Sequence, residues 1–243
     1  MDTSLRDAVT EANDGLARSA VYRLLAQVLS YPTPAGVEQL LEEDVPLALA
    51  LAPILSGPVG TLVADLAAAL EGVTREALER AYLTAFTHVH SADCSLYETD
   101  YTAARVWRQS QELADLGGFY RAFGVEERME RPDHVAVELE FLHLLAYKAA
   151  WAAATHDREH VRTCERAREA FLADHALRWM PGLLERLEVL GAGGPYAAVA
   201  RLARRFLSDE AARFGLRTDA GPTPTPAAHE GEAEGDPALC EGE

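Results

Sequence analysis

The sequence carries little positive charge. Its 243 residues include 22 Lys plus Arg against 39 Asp plus Glu, which gives a formal net charge of −17, and Lys148 is the only lysine. A protein field of that sign repels the phosphate backbones of nucleic acids. We therefore expect no nucleic-acid partner, and basic or neutral partners fit better.

Cysteine is also scarce. Cys94, Cys164 and Cys240 are an odd number, lie far apart and include no CxxC pair. This usage excludes a framework of disulfides and the paired-cysteine zinc sites, and it is typical of a reducing compartment. We expect neither a disulfide core nor a zinc ribbon.

A long hydrophobic run and a secretory signal peptide are both missing. The most apolar stretches, 45–55 and 61–70, contain Pro or Asp and fall short of the roughly 18 residues that indicate a membrane span. The N-terminus has acids among its first residues and no basic start followed by an apolar run. We therefore expect a soluble, cytoplasmic protein.

What the sequence does contain is a helical hydrophobic period nearly everywhere. The clearest apolar stripe joins Val135, Leu139, Leu142, Ala146 and Ala149. This spacing places the side chains on one helix face. No run of alternating β-branched residues is bounded by turn residues, so a sheet is not expected. The sequence predicts an all-α, single-domain bundle of roughly 8–10 helices over residues 1–217.

Proline, glycine and capping residues predict where helices begin and end. Thr74 is expected to be an N-cap, and Pro132 the first residue of a helix, where its missing N–H costs nothing. Pro181 is expected to open a further helix. The pair Gly117-Gly118 is a candidate break in the long helix that contains it.

The composition changes at Thr218. Residues 218–243 carry four prolines, four glycines, seven acids and no Lys or Arg. Such a segment cannot bury enough apolar surface to offset its ordering entropy. We expect a disordered acidic Pro/Gly-rich tail there, after a helical body that is acidic in its own right.

One helix carries a motif of metal-ligand chemistry. Glu140 and His143 form an ExxH, the spacing that di-iron helical bundles use, and both could reach one metal. The chain has no second ExxH. An alternative function is therefore a metal-binding helical-bundle enzyme or sensor that uses Glu138, Glu140 and His143.

A second group of possible ligands precedes the middle of the chain. His88, His90, Asp93 and Cys94 lie within seven residues, without any of the usual zinc spacings, and a polar loop is the simpler interpretation. No nucleophile elbow GxSxG is present, and the glycines at 191–194 follow no predicted strand. Neither the group from His88 to Cys94 nor the glycines at 191–194 therefore predicts a catalytic site or a metal site.

Charged residues concentrate between Arg131 and Glu138 at a predicted helix start. Asp133 and His134 are expected in the first turn, where the helix dipole favours a carboxylate. Glu138 follows one turn later on the face of His134, where the two could pair. A capped helix start and a negative surface for a basic ligand both fit this pattern.

Four stretches, Tyr22–Pro32, Leu78–Phe86, Cys94–Asp100 and Pro132–Phe141, are similar in order and position to motifs of one family, the TorD/NarJ-type redox-enzyme maturation chaperones. The first resembles the family's first helix and the second its EYxxLF element. The third resembles the CPxYET loop of the branch that serves selenate, chlorate and dimethylsulfide-type respiratory enzymes. The fourth resembles the PDHhxxEhxF signature.

Two positions depart from these motifs. Ala85 replaces the usual leucine of the second stretch, and Ser95 stands where proline is common in the third. The departures concern the identity of the bound peptide more than the fold.

The resemblance implies a helical molybdoenzyme assembly chaperone without catalysis and without a cofactor of its own. Such proteins bind the molybdopterin-containing catalytic subunit of a respiratory oxidoreductase before export. Many of them recognise its twin-arginine leader and hold the subunit until cofactor is inserted. An acidic helical body suits such a leader, because arginine pairs well with carboxylates and an apolar peptide fits a groove between helices.

The same resemblance implies a set of partner-binding or leader-binding residues. The aromatic members are expected to line a groove, and Asp133 and Glu138 to pair with leader arginines. His134, at the mouth of the groove with Asp133, is expected to orient the loop through a hydrogen bond. The full set is Tyr82, Phe86, Tyr97, Asp133, His134 and Glu138.

Two further possibilities stay open from the sequence. A helical scaffold with an acidic tail could bind a partner without any leader. The oligomeric state could be a monomer or a dimer that exchanges helices between protomers.

Overall fold

A computed structural model of the chain describes residues 3–86, 94–102, 106–125, 131–191 and 194–218. Helices make up nearly all of these residues, and in these ranges β pairing is confined to one isolated bridge. The predicted all-α fold is confirmed. The expected tail beyond Thr218, and the candidate ligands His88, His90 and Asp93, lie outside the described residues.

The α-helices of the described residues, in chain order, are α1 (Thr3–Leu29), α2 (Pro34–Gln39), α3 (Val45–Leu51), α4 (Val59–Leu70), α5 (Arg75–Phe86), α6 (Thr99–Thr102), α7 (Val106–Ala122), α8 (Val135–Ala154), α9 (Arg158–Phe171), α10 (Leu177–Leu190) and α11 (Pro195–Phe214). The π-helical turns Leu40–Asp44 and Leu172–Ala176 connect α2 to α3 and α9 to α10, and the 3₁₀ turn Ala52–Ile54 follows α3. None of the helices described is both long and apolar enough to cross a bilayer.

The centre of the molecule is the pairing of α1 with α8. Small side chains allow the two helices to approach closely: a Cβ added at Gly15 would lie 2.9 Å from the Cβ of Ala150. Farther along the pair, Nδ1 of His143 lies 2.8 Å from Oγ of Ser19 and donates to the Ser19 carbonyl oxygen at 3.0 Å. The remaining helices pack around this pair, with α9 against α8 and α11 against α4 and α10.

A buried charge network ties α1 to α9 and α11. The carboxylate of Glu210 on α11 is fully buried and accepts hydrogen bonds from Arg18 and, at 2.7 Å, from the hydroxyl of Tyr22. Nε of Arg168 on α9 lies 3.5 Å from the same carboxylate. Buried charges persist only where opposite charges and donors surround them, so this network constrains how the three helices meet.

The predicted helix boundaries are partly confirmed. Oγ1 of Thr74 accepts from the backbone N–H of Ala77 at 3.2 Å, as an N-cap does. The helix that contains Gly117-Gly118 continues unbroken through both glycines, so the candidate break is wrong. Gly117 is buried in the packed interior, where tertiary contacts outweigh the low helix propensity of glycine.

The prediction that Pro181 opens a helix is wrong, because Pro181 lies inside α10. A proline in a helix interior costs about 3 kcal/mol. Its neighbours Trp179, Met180 and Leu183 are all buried, and burial stabilises by about 1.5–3 kcal/mol for each large apolar side chain. The packing of α10 therefore outweighs the local penalty.

Candidate functional site

The helix α8 begins at Val135, three residues later than the sequence suggested. His134 is the N-cap: its backbone is extended, with φ −77° and ψ 137°, and its Nδ1 accepts from the N–H of Ala136 at 3.2 Å. Pro132 and Asp133 form a turn before the helix. The expectations that Pro132 is the first helical residue and that Asp133 and His134 lie in the first turn are therefore wrong.

A long-range bridge explains the late start. Tyr97 and His134 form an isolated antiparallel pair: the N–H of Glu98 donates to the Asp133 carbonyl at 2.9 Å, and the N–H of Val135 donates to the Leu96 carbonyl at 2.8 Å. These bonds hold the backbone before Val135 extended. We call the unit made of residues 94–102 and 131–138 the loop–helix junction.

Asp133 is the buried anchor of this junction. Its side chain is fully buried and binds the Arg131 guanidinium with both oxygens: Nε lies 3.1 Å from Oδ1 and Nη2 lies 2.8 Å from Oδ2. Oγ1 of Thr99 donates to Oδ2 at 2.8 Å, and Nη2 of Arg131 donates to Oγ1 of Thr99 at 3.0 Å. One carboxylate thus joins the two segments of the junction.

The solvent-facing part of the junction is formed by Arg131 and Tyr97. The side chain of Arg131 is 48% exposed, and its guanidinium carbon lies 4.4 Å from the centre of the half-buried Tyr97 ring. The ring of His134 also contacts that of Tyr97, with the ring centres 5.2 Å apart. A guanidinium stacked on an aromatic ring presents a charged group and an apolar ring at the same surface position. Arginine and aromatic residues are both enriched at protein–protein interfaces.

Glu138 points into the core. It is fully buried, and its Oε2 accepts from Nε1 of Trp179 on α10 at 3.1 Å, whereas its Oε1 has no hydrogen-bond partner among the described residues. Burial raises the pKa of Glu138 well above its ordinary value, and the nearby Glu98 and Asp133 carboxylates raise it further. The pKa shift favours the uncharged acid, which an apolar interior accepts more readily than a carboxylate.

Glu98 is a second buried carboxylate of the junction, and the sequence did not mark it as a site residue. Its Oε2 lies in hydrogen-bond contact with Nδ1 of His175, at 3.0 Å. Nε2 of His175 lies 3.3 Å from Oδ2 of Asp115 on α7. This distance is short enough for an ion pair, but the angles are not those of a hydrogen bond. Burial raises the pKa of Glu98, and the His175 contact opposes that shift. The sequence signal was present, since Glu98 belongs to the Cys94–Asp100 motif.

Tyr82 and Phe86 belong to a different cluster of rings. Their ring centres lie 4.8 Å apart, and Tyr196 of α11 lies 5.3 Å from Phe86. Tyr82 also contacts the exposed Tyr31 edge-on at 5.5 Å. Both motif residues are buried. The structure thus brings together Tyr97, Asp133, His134 and Glu138, and places the other two aromatic residues in the core between α5 and α11.

The residues of the metal alternative do not converge. Glu138 bonds to Trp179 on α10, His143 bonds to Ser19 on α1, and Glu140 is exposed. Over the part of the chain that the structure describes, no three His, Cys, Asp or Glu side chains are arranged to hold a metal ion.

Comparison with known proteins places these residues in a family. Residues 53–185 match the family model described as nitrate reductase delta subunit. The perchlorate reductase assembly chaperone protein of Dechloromonas aromatica is 30% identical over 85% of this chain and 94% of its own length. The selenate reductase assembly chaperone protein of Thauera selenatis is 31% identical over 71% of this chain and 77% of its own. Chaperone protein TorD of Vibrio cholerae is 33% identical over 42% of this chain and 46% of its own.

Proposed function

The chain belongs to the nitrate reductase delta subunit family, which comprises the TorD/NarJ-type maturation chaperones, and from that premise we propose that it assembles a molybdenum-dependent respiratory enzyme. In this proposal it binds the catalytic subunit in the cytoplasm, including the twin-arginine leader, and holds it until cofactor is inserted and the subunit is exported. Two of the relatives are named as reductase assembly chaperones and the third as a chaperone protein, and the chain is a chaperone-family protein rather than an enzyme.

The observation that carries the proposal is the loop–helix junction. Two family-like motifs, Cys94–Asp100 and Pro132–Phe141, are far apart in the sequence but share the Tyr97–His134 bridge and the Asp133–Thr99 hydrogen bond. The carboxylates of Glu98, Asp133 and Glu138 in these motifs are buried, and each accepts or shares a hydrogen bond within the chain, so they are not presented to a substrate. Rigid presentation of a surface loop is what a binding protein requires.

Within the junction we assign the first client contact to Tyr97 and Arg131. The Arg131 side chain is 48% exposed and Tyr97 is half-buried. The pairing of Asp133 with a leader arginine, which the family resemblance implies, requires that a client arginine replaces Arg131, because the Asp133 carboxylate is fully buried. His134 and Glu138 then position the loop and the helix start rather than touch the client.

The two buried aromatic residues act through a neighbour in this proposal. Tyr82 contacts the ring of Tyr31, which is 48% exposed, and Phe86 packs against Tyr82. A client side chain can reach Tyr31 directly, and the two rings behind it fix its position.

The test compares client capture by junction variants. Tagged wild-type protein, the double variant Tyr97→Ser with Arg131→Gln, and a matched control with Tyr147→Ser and Arg201→Gln are each used to capture molybdoenzyme subunits from the native cytoplasm. Tyr147 and Arg201 are exposed residues of the same types outside the junction. We expect capture to be lost only in the junction variant, with its helical circular dichroism unchanged.

The buried residues of the junction need a separate variant. Asp133→Ala combined with His134→Ala removes the anchor and the helix cap, and we expect it to lose the client as well. Equal capture by wild-type protein and by both folded junction variants would remove the junction from the binding surface.

A further inference from the structure

His175 lies at the centre of a buried acid–base cluster beside the loop–helix junction. It belongs to the π-helical turn Leu172–Ala176 between α9 and α10, and its side chain is 2% exposed. Phe119 and Phe171 both contact the imidazole, with ring centres 5.5 Å and 5.1 Å away. Single π-helical turns occur frequently at functional sites.

Each nitrogen of this imidazole faces a carboxylate. Nδ1 lies 3.0 Å from Oε2 and 3.3 Å from Oε1 of Glu98 on the junction, and Nε2 lies 3.3 Å from Oδ2 of Asp115 on α7. Ionised carboxylates only accept hydrogen bonds, whereas a neutral imidazole has one donor nitrogen and one acceptor nitrogen. A neutral ring would therefore turn a lone pair towards one of the two carboxylates. The imidazolium, which donates from both nitrogens, is the form that fits both.

The surrounding charges also favour the imidazolium. Glu112 on α7 interacts electrostatically with Glu98, and the exposed Asp174 precedes His175 in the chain. Arg178 on α10 lies 3.9 Å from Glu98 and 3.6 Å from Glu112, and because it is 45% exposed, solvent screens its charge. A buried carboxylate requires a compensating charge. His175 is closer to Glu98 than Arg178 is.

This cluster attaches the junction to the rest of the bundle. Glu98 lies between Tyr97 and Thr99, and its backbone N–H donates to the Asp133 carbonyl at 2.9 Å. Its side chain contacts His175, which also faces α7. The loop is thus attached to the start of α8 through its backbone, and to α7 and the turn before α10 through one imidazole.

We propose that His175 is a proton-dependent latch of the loop–helix junction, in which the imidazolium pairs with Glu98 and Asp115 at once. When the proton on Nε2 passes to solvent, the pairing with Asp115 is lost, and the neutral ring keeps one hydrogen bond to Glu98 without compensating its charge. The loop at residues 94–102 then loosens. Histidine is the side chain that ordinarily titrates near neutral pH, so a small change in pH moves such a latch.

The latch also has a consequence for the client. Tyr97 belongs to the loop, and a rigid loop binds at a lower entropic cost than a loose one. The latch therefore strengthens client binding while His175 is protonated and weakens it as pH rises. This regulatory step rests on the proposed function, whereas the order of the loop can be measured without a client.

The direct test follows the ring and the loop together in the full-length protein. Ring-nitrogen chemical shifts in NMR report the protonation of His175, and hydrogen-exchange protection factors of the Glu98 and Val135 amides report the attachment of the loop. Both are measured from about pH 6 to about pH 8.5. We expect the two transitions to coincide, with protection falling by about tenfold as the charge-assisted interaction becomes a neutral one.

Three variants isolate the latch. His175→Asn keeps an N–H donor for Glu98 but does not titrate, so protection should no longer change with pH. Asp115→Asn should move the transition to lower pH, because the imidazolium loses one of its two carboxylates. Asp115 is 66% exposed, so this variant tests the latch even if His175→Asn does not fold. His160→Asn alters an exposed histidine paired with Asp157, and as the matched control it should behave like the wild type.

Glu138 is another buried acid that interacts electrostatically with Glu98, and the variant Glu138→Gln separates its titration from that of His175. We expect the transition of the loop to keep its midpoint in this variant. A transition that disappears in Glu138→Gln and persists in His175→Asn would overturn the latch. Protection that stays constant while the ring titrates would also overturn it, as would a ring that is already neutral at about pH 6.

Client retention at two pH values tests the regulatory step. Wild-type protein should retain a captured molybdoenzyme subunit more firmly at about pH 6.5 than at about pH 8, and His175→Asn should retain it equally at both. Equal retention by the wild type at both pH values would overturn the regulation. If the wild type captures no subunit at either pH, the proposed function fails, and the measurements on the free protein still decide the latch.

Discussion

Arg131 covers Asp133: both carboxylate oxygens of Asp133 bind the guanidinium, at 3.1 Å and 2.8 Å, and the Arg131 side chain is 48% exposed. The negative charge that the sequence offered to a ligand is therefore already paired within the chain. This pair, together with Thr99, fixes the loop at residues 94–102 against the start of α8.

Asp133→Asn should loosen that attachment. The substitution removes a charge-assisted, bidentate interaction from a buried position, which we expect to lower the free energy of unfolding by about 1–3 kcal/mol. Hydrogen exchange at the amides of Glu98 and Val135, which bridge the two segments, should become faster. Urea unfolding and hydrogen-exchange mass spectrometry measure the two effects.

The matched control for this change is Asp209→Asn. Asp209 pairs with Arg205 on the exposed surface of α11, where a salt bridge contributes about 0–1 kcal/mol. If Asp133→Asn costs no more than this control and leaves both amides protected, Asp133 does not anchor the loop.

Glu138→Gln should stabilise the protein increasingly as pH rises. Burial raises the pKa of Glu138 above its ordinary 4.5, so the folded state keeps a proton that the unfolded chain releases at lower pH. Protonated Glu138 makes its full contribution to the free energy of unfolding below about pH 4.5, the pKa in the unfolded chain. That contribution is lost as the pH rises towards the higher pKa of Glu138 in the folded protein. Glutamine cannot ionise, and its advantage should grow by about 1.4 kcal/mol per pH unit across that interval.

Urea unfolding at about pH 5 and about pH 8 measures that trend. Glu185→Gln, at an exposed position of α10, is the control and should show no comparable gain, because solvent screens exposed carboxylates. A Glu138→Gln variant with the same stability difference at both pH values would contradict the assignment of a protonated core glutamate.

Glu210→Ala should strongly destabilise the bundle. The change leaves Arg18 and Arg168 without their shared carboxylate in the interior, and breaking a buried ionic network by removing one partner costs about 3–5 kcal/mol. Glu188→Ala removes a partly exposed pair with Arg204 and should cost under about 1 kcal/mol. Chemical denaturation measures the free energy of unfolding of the two variants. Equal losses would show that the buried network around Glu210 does not stabilise the bundle.

Gly15→Ala and Gly118→Ala should have opposite signs. Each exchange gains about 1 kcal/mol of helix propensity. At Gly15 the new Cβ meets Ala150 at 2.9 Å and forces α1 away from α8, whereas at Gly118 nothing lies within 4 Å. Thermal unfolding should therefore give a lower Tm for the first and a higher Tm for the second. A higher Tm for both would contradict close packing of α1 on α8.

Local sequence patterns predicted the helices well because burial and periodicity act within each helix. The stripe from Val135 to Ala149 lies in α8, and Thr74 caps α5. The boundaries that failed depend on distant partners. Pro132 does not start α8 because residues 96–98 pair with the backbone before Val135, and Pro181 is tolerated because α10 packs in the core.

The candidate site was only half predictable for the same reason. The motifs selected Asp133 and His134, but their burial depends on Arg131 and on a loop more than 30 residues earlier. Glu138 carried a usable signal, because it shares the helix face of Val135 and Leu142 and a carboxylate on an apolar stripe is expected to be buried. Its partner Trp179, on another helix, could not be read from spacing.

Affinity purification of the wild-type protein from an extract of its native cells, followed by mass spectrometry of the captured proteins, tests the central claim most directly. We predict recovery of a molybdopterin-enzyme catalytic subunit that still carries its twin-arginine leader. Failure to recover any such subunit, under conditions in which one is expressed, would contradict the chaperone function proposed for this chain.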